Sequence, residues 1–329
     1  MGKQQMENSP AGRGREAEWP AQIPGLGWKD ILWRVFREIG SDRIMLVAAG
    51  VTFYLMLAIF PALVAFVSLY GLVADPTTIA QHISLLSGLL PEAGLELLRD
   101  QLNRLAEGDG NALSFGFLSG LLFSLWSANA GVKALFDALN VAYEEQEKRG
   151  FIALTLLSFG FTLGAMLIAA VLIFSIGLAP AMLALLDFEQ HAETLIRLTR
   201  WPITFAIVAI ATSVVYRYGP SRERAKWRWI SWGAALTTLV WFGASFAFSL
   251  YLQNFASYDA TYGSLGTIIA FMMWIWISAM ILLIGAEINA EMEHQTGRDS
   301  TVGEEKPIGH RGAVVADTLG ESADREEDR

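Results

Sequence analysis

The sequence predicts an all-α protein, a polytopic membrane helix bundle of six transmembrane helices with short amphipathic helices at its surfaces. Three observations predict it. Of 329 residues, 53% are apolar and only 17% charged, against about a quarter charged in a soluble domain. Asp, Glu, Lys and Arg are missing from six stretches, 44–74, 110–132, 150–186, 201–216, 229–258 and 260–286, which together make up half the chain. Each except 201–216 exceeds the roughly 18–20 apolar residues that cross a hydrocarbon core. The 24 Lys and Arg, assigned to alternate sides of these stretches, divide 20 to 4. That asymmetry places both termini in the cytoplasm and excludes a soluble enzyme.

Residues 1–27 are polar, lack an apolar signal-type core, and read as a disordered cytoplasmic N-terminus. Trp28, Ile31, Leu32, Val35, Phe36 and Ile39 then recur at helical spacing, with Lys29, Arg34 and Arg37 opposite. This is a basic amphipathic helix within 28–43, laid on the cytoplasmic membrane surface. The membrane domain spans 44–293. Its first span holds Tyr54 and, further on, Pro61, which calls for a kink or a re-entrant section. The loop 75–112 carries two leucine-rich amphipathic patterns that fit short helices on the outer surface. Gly160 and Gly164 form a GxxxG in the third span, read as close packing within one chain before a dimer seam, although a homo-oligomer stays open. Tyr262, Gly263 and Gly266 read as a turn with close helix packing before the sixth span. Residues 287–329 hold 12 acidic and 5 basic residues, so the tail 294–329 reads as disordered and cytoplasmic, and a cut near residue 297 should be tolerated.

Cysteine is absent and the four histidines are scattered, which removes disulfides, thiolate metal sites and thiol nucleophiles. There is no GxxxxGK[ST] phosphate loop. No cofactor and no metal are expected. Asn129, Lys133, Asp137 and Asn140 lie on one helical face where the second span leaves the membrane. Lys133 has two readings: a lysine snorkelling to headgroups beside Asp137, favoured for Lys133 taken alone, or the mouth of a polar path. Glu287 and Asn289 at the end of the sixth span extend that candidate path. Arg217, Arg222, Arg224, Lys226 and Arg228 are interleaved with aromatic residues. In a membrane protein that pattern selects anionic lipid rather than nucleic acid.

Four segments carry a family resemblance: Ala48–Tyr54 running on to Phe60 and Pro61; Ala134–Tyr143; Tyr216–Pro220 with Trp227 and Trp229; and Tyr262–Gly266 continuing through Trp274 to Gly285–Glu291. In this order the chain resembles the YihY/virulence factor BrkB family of bacterial inner-membrane proteins, formerly labelled ribonuclease BN. The resemblance implies a six-span inner-membrane protein associated with envelope integrity. The nuclease label is not carried over, because the sequence offers neither a metal-carboxylate cluster nor a histidine acid/base pair on the cytoplasmic side. Two function classes lead: a transporter or lipid-handling envelope protein with an amphiphile or small solute as substrate, and a non-transporting membrane scaffold.

Overall fold

The computed structural model describes residues 10–70, 100, 115–173, 190–255 and 264–325. Among these the secondary structure is helical, and β-pairing is limited to one antiparallel bridge between Ala225 and Thr301. The helices are α1 (Gly25–Ser41), α2 (Ile44–Tyr70), α3 (Phe115–Ala142), α4 (Phe151–Ile173), α5 (Gln190–Tyr218), α6 (Trp227–Phe255), α7 (Ser264–Gln295) and the single turn α8 (Val314–Asp317). α7 is the hub, packing on α6, α2, α1 and α3.

Five helices contain a segment long and apolar enough to cross a membrane: Ile44–Phe66, Phe151–Val171, Trp201–Tyr218, Trp227–Leu252 and Ile268–Gln295. Among the described residues five of the six expected spans meet this criterion of length and composition, and α3 is the sixth. α3 drops out because Ser119, Ser124, Ser127, Asn129, Lys133 and Asp137 dilute its apolar character. It still lies within the bundle, along α2 and α4. It approaches α2 closely at Gly131, where a Cβ would sit 3.0 Å from Leu55 and 3.2 Å from Ala58. Small residues at such a crossing let two backbones approach. Outward, the bundle shows a belt of large apolar side chains that includes Leu46, Phe53, Leu156, Ile210 and Phe246. A surface of that extent on helices long enough to span suits contact with lipid.

α2 runs unbroken through Pro61, so a re-entrant section does not form there. Among the described residues Gly160 and Gly164 show no such packing: a Cβ at either would meet none of their atoms within 4 Å. The proposed helices in 75–112 (Asp100 apart), with Tyr262 and Gly263, lie outside the described residues. Gly266 is buried against Phe248 and Tyr251.

Both chain ends fold onto the same end of the bundle. Residues 10–24 cross it in two short 3-10 turns, Pro10–Arg13 and Pro20–Gln22. Arg13 donates to both carboxylate oxygens of Asp30 on α1, each at 2.8 Å. The tail returns beside the loop after α5: the Lys226 N–H donates to the Ser300 carbonyl (2.8 Å), and the Val302 N–H to the Arg224 carbonyl (2.9 Å). Further along, the Val314 N–H donates to Glu145 (2.8 Å) and the Ala323 N–H to Asp30 (2.9 Å). Asp299, Thr301, Arg311, Val315 and Ala316 are all buried. The expectation of disorder is therefore corrected for residues 10–27 and 294–325. Composition registers only missing apolar surface, whereas this segment is held by hydrogen bonds to partners far away in sequence.

Candidate functional site

Between α2, α3, α5, α6 and α7 lies a cavity of about 390 Å³. Val51, Leu55 and Ile59 line it from successive turns of α2, and Leu135 from α3. Its polar groups are a few hydroxyls: Thr212, Thr237, Thr238 and Ser278. At the side nearer the chain ends the wall is fixed by Tyr216, whose hydroxyl donates to the Leu282 carbonyl (2.7 Å) and meets the Thr237 hydroxyl (3.0 Å). Gly285 makes this closure possible. A Cβ there would fall 1.8 Å from the Thr237 hydroxyl oxygen and 2.4 Å from that of Tyr216.

Beyond this closure α7 becomes polar at every second residue: Glu287, Asn289, Glu291, Glu293 and Gln295, all buried. Residues two apart point about 200° away from each other on a helix, and residues four apart share a face. Glu287 and Glu291 accordingly face α1. Arg34 of α1 donates its Nε–H to Glu291 and a second N–H to Gln295 (2.8 Å). Asn289 and Glu293 face the other way. Asn289 lies flat on Gly233 of α6, where a Cβ would fall 1.9 Å from its Oδ1. Glu293 accepts two hydrogen bonds from Arg222 (3.1 and 2.6 Å) and one from the Ser300 hydroxyl (2.6 Å). The Arg222 guanidinium in turn lies 5.1 Å from the ring centre of Tyr143.

Glu287 is treated differently from the other two glutamates. The residue is 2% exposed and its Oε1 has no hydrogen-bond partner among the described residues. Burial, with repulsion from Glu38 and Glu144 added, pushes the Asp42 carboxyl up to about 6. Glu147, in the loop after α3, is by contrast held down at about 2: although partial burial acts to raise it, hydrogen bonds from Arg149 prevail.

The structure does not gather the predicted polar residues into one stripe. Asn129 is buried and accepts a long hydrogen bond from Thr162 of α4 (3.4 Å). Lys133 donates to Thr155 of α4 (3.0 Å) and sits over the rings of Trp126 (5.4 Å) and Phe151 (5.2 Å). Among the described residues no ion pair joins it to Asp137, which is exposed. Asn140 is a tether, accepting the Ser221 N–H at 2.7 Å and donating to Glu147 at 3.3 Å. Lys133 and Glu287 thus address different neighbours, α4 and α1. Tyr54 is half exposed on the outer surface of α2, off the cavity face marked by Val51, Leu55 and Ile59.

Of the five basic residues read as lipid contacts, Arg224 and Arg228 are exposed and Arg217 stacks on Trp227 (4.3 Å). Arg222 is corrected to a buried counter-ion of Glu293, and Lys226 is drawn to the Asp299 carbonyl (2.7 Å). Sequence reading missed Arg34, Asp42, Tyr143 and Glu293. The signal was present in the i, i+4 spacing of acidic and amide residues on two opposite faces of one helix. Among the described residues no group of three His, Cys, Asp or Glu is placed to hold a metal ion.

Comparison with known proteins agrees with this architecture. The chain is 29% identical over 249 residues to a Bacillus subtilis protein named putative ribonuclease-like protein YfkH, covering 74% of this chain and 88% of that one. It is 29% identical over 220 residues to a UPF0761 membrane protein of Idiomarina loihiensis (64% and 71% covered). A UPF0761 membrane protein of Haemophilus influenzae matches at 20% over 265 residues (80% and 94% covered). No solved structure matches. The profile described as Virulence factor BrkB matches residues 35–308, from the middle of α1 through every long helix and into the folded tail. With its apolar helices and that match, the chain is a multi-pass membrane protein of the BrkB family.

Proposed function

We propose that this protein sits in the bacterial inner membrane with both termini in the cytoplasm and holds or moves an amphiphile through its intrabundle cavity. The cavity is the observation that carries the reading. At about 390 Å³ it falls in the range of small-molecule sites. Its lining is aliphatic and aromatic with few hydroxyls, which suits a hydrocarbon chain better than a polar solute. A membrane protein serving only as a scaffold has no need of such a space.

Lys133 supplies the matching contact for an anionic headgroup. Its ammonium lies between the half-exposed Trp126 and the exposed Phe151 at the seam of α3 and α4, where a lipid phosphate would meet it. The exposed Leu32 and Phe36 of α1 would rest in the same interfacial layer. This reading is not enzymatic, and RNA has no part in it; the ribonuclease-like name belongs to the Bacillus relative.

The test is lipid extraction from the purified protein followed by mass spectrometry. Wild type should retain an amphiphile. Ala279→Trp, which fills the cavity from α7, should lose it several-fold with membrane levels unchanged, and Lys133→Ala should lower its anionic fraction. A wild type free of bound amphiphile, or an Ala279→Trp variant that retains it fully, defeats the proposal.

Orientation is tested separately. Reporter fusions at residue 218 and at the C-terminus are expected to read cytoplasmic, as the exposed basic residues there require. A fusion at residue 90 is expected to read external. An external signal from residue 218 reverses the orientation.

A further inference from the structure

α5 packs along α6 and on no other helix to a comparable extent, whereas α2, α3 and α7 pack on one another. The cavity lies where these two groups part. Leu135 of α3 stands on one bank, and Val208 and Thr212 of α5 stand on the other. Contacts that join α3 to α5 cluster at the end nearer the chain termini. A Cβ at Gly219, just past α5, would fall 2.5 Å from Leu139 and 3.5 Å from Phe136 of α3, so glycine is what lets these ends meet. Asn140 accepts the Ser221 N–H (2.7 Å), and Arg149 in the loop after α3 donates to the Gly219 carbonyl (2.7 Å). We propose that beyond this tether the α3–α5 seam is a lateral portal, through which one acyl chain of a bilayer lipid enters the cavity while its headgroup stays at the membrane surface. The portal rests on the amphiphile reading of the cavity and adds to it the route and the part of the molecule held inside.

The seam lies at hydrocarbon depth. Val208 is near the middle of the apolar stretch Trp201–Tyr218, and the cavity-lining turns of α2 from Val51 to Ile59 fall inside Ile44–Phe66. Thr212 and Val208 stand about 10–16 Å along α5 from the tether at Gly219. A dissolved solute would have to cross an apolar layer to reach this seam, whereas a lipid chain is already in it. Leu135 and Val208 carry no group that could hydrogen-bond across the seam, and each helix satisfies its own backbone. The banks can therefore part without breaking a hydrogen bond at this level.

The walls suit a chain and not a headgroup. Among the described lining residues none is charged. Most of the hydroxyls are already engaged: Thr238 donates to the Ala234 carbonyl (2.7 Å), and Thr237 meets the Tyr216 hydroxyl (3.0 Å). Ser278 donates to the Trp274 carbonyl (2.8 Å) and accepts the Trp241 indole N–H (2.9 Å). A headgroup drawn inside would leave its own polar atoms unpaired, which is costly. A hydrocarbon chain needs only apolar surface.

The test uses the purified full chain in vesicles of phosphatidylethanolamine and phosphatidylglycerol, doped with a phosphatidylglycerol that carries a diazirine midway along one acyl chain. After illumination, adducts are mapped by mass spectrometry. They are expected on the cavity walls at Leu55, Thr237 and Ala279, as well as on the outward-facing Leu156 and Phe246. Leu283, which is fully buried, should carry none. Val208→Trp, which sets an indole in the seam, should lower the cavity adducts several-fold and leave those at Leu156 and Phe246 unchanged. Ile210→Trp, on the exposed face of the same helix, should change neither. A second probe needs no variant: the same lipid with its diazirine on the headgroup should leave the cavity walls unlabelled. Cavity walls unlabelled by the chain probe, labelled equally in Val208→Trp, or labelled by the headgroup probe overturn the portal. The amphiphile reading fails separately, since extraction would then yield no bound lipid from a cavity that the chain probe still labels. A bound amphiphile in a cavity the chain probe never labels keeps that reading and removes the portal.

Discussion

Glu293→Ala is expected to cost about 3–5 kcal/mol, enough to remove most folded protein from the membrane, because it strands the Arg222 guanidinium in a site where it is 2% exposed. Arg222→Ala should cost a similar amount by stranding the carboxylate, whose remaining partner is the Ser300 hydroxyl. Replacing both, as Arg222→Met with Glu293→Leu, should recover much of the loss, since two apolar groups of similar volume carry no desolvation penalty. A double-mutant cycle on thermal unfolding in micelles measures the coupling. Single variants as stable as wild type would show that this pair is solvated.

Truncation after Gly297 is expected to be nearly as severe. It removes Arg311, which donates to the Gly297 carbonyl at 2.7 Å, and it removes the Ser300 hydroxyl from Glu293. It also uncovers the loop after α5, whose backbone pairs with the tail. Hydrogen bonds involving charged groups contribute about 1.5–3 kcal/mol each, so a loss of about 5 kcal/mol is expected from these contacts. The readout is membrane yield and resistance to proteolysis. A cut after residue 325 leaves the described tail intact and should be neutral. Wild-type yield after the Gly297 cut would restore the tail to the disordered state its composition suggests.

The cavity and the buried polar end lie along one helix. α7 lines the cavity with Ser278, Ala279 and Leu282 and carries Glu287 little more than one turn further on. The closure made by Tyr216, Thr237 and Gly285 stands between the two.

The sequence by itself determined the membrane class and the run of long helices. Both follow from local quantities: a stretch free of charge from 229 to 258 must be helical in lipid, because no water is present to satisfy its backbone. It also located the polar end of α7, but read Glu287, Asn289 and Glu291 as a helix emerging into solvent. Only the tertiary structure decided that this end is buried. What covers it is α1, the N-terminal turns and the tail, joined by contacts such as Asp30 with Ala323, 293 positions apart. A charge on a segment looks the same to composition whether it meets water or a partner. Arg222, grouped by its neighbours with lipid-facing cations, and Arg311, in a tail read as disordered, are both interior cations because the fold brings an acceptor to each. Which carboxylate of this end takes the cation of α1 was likewise undecided until the fold placed Arg34 at Glu291.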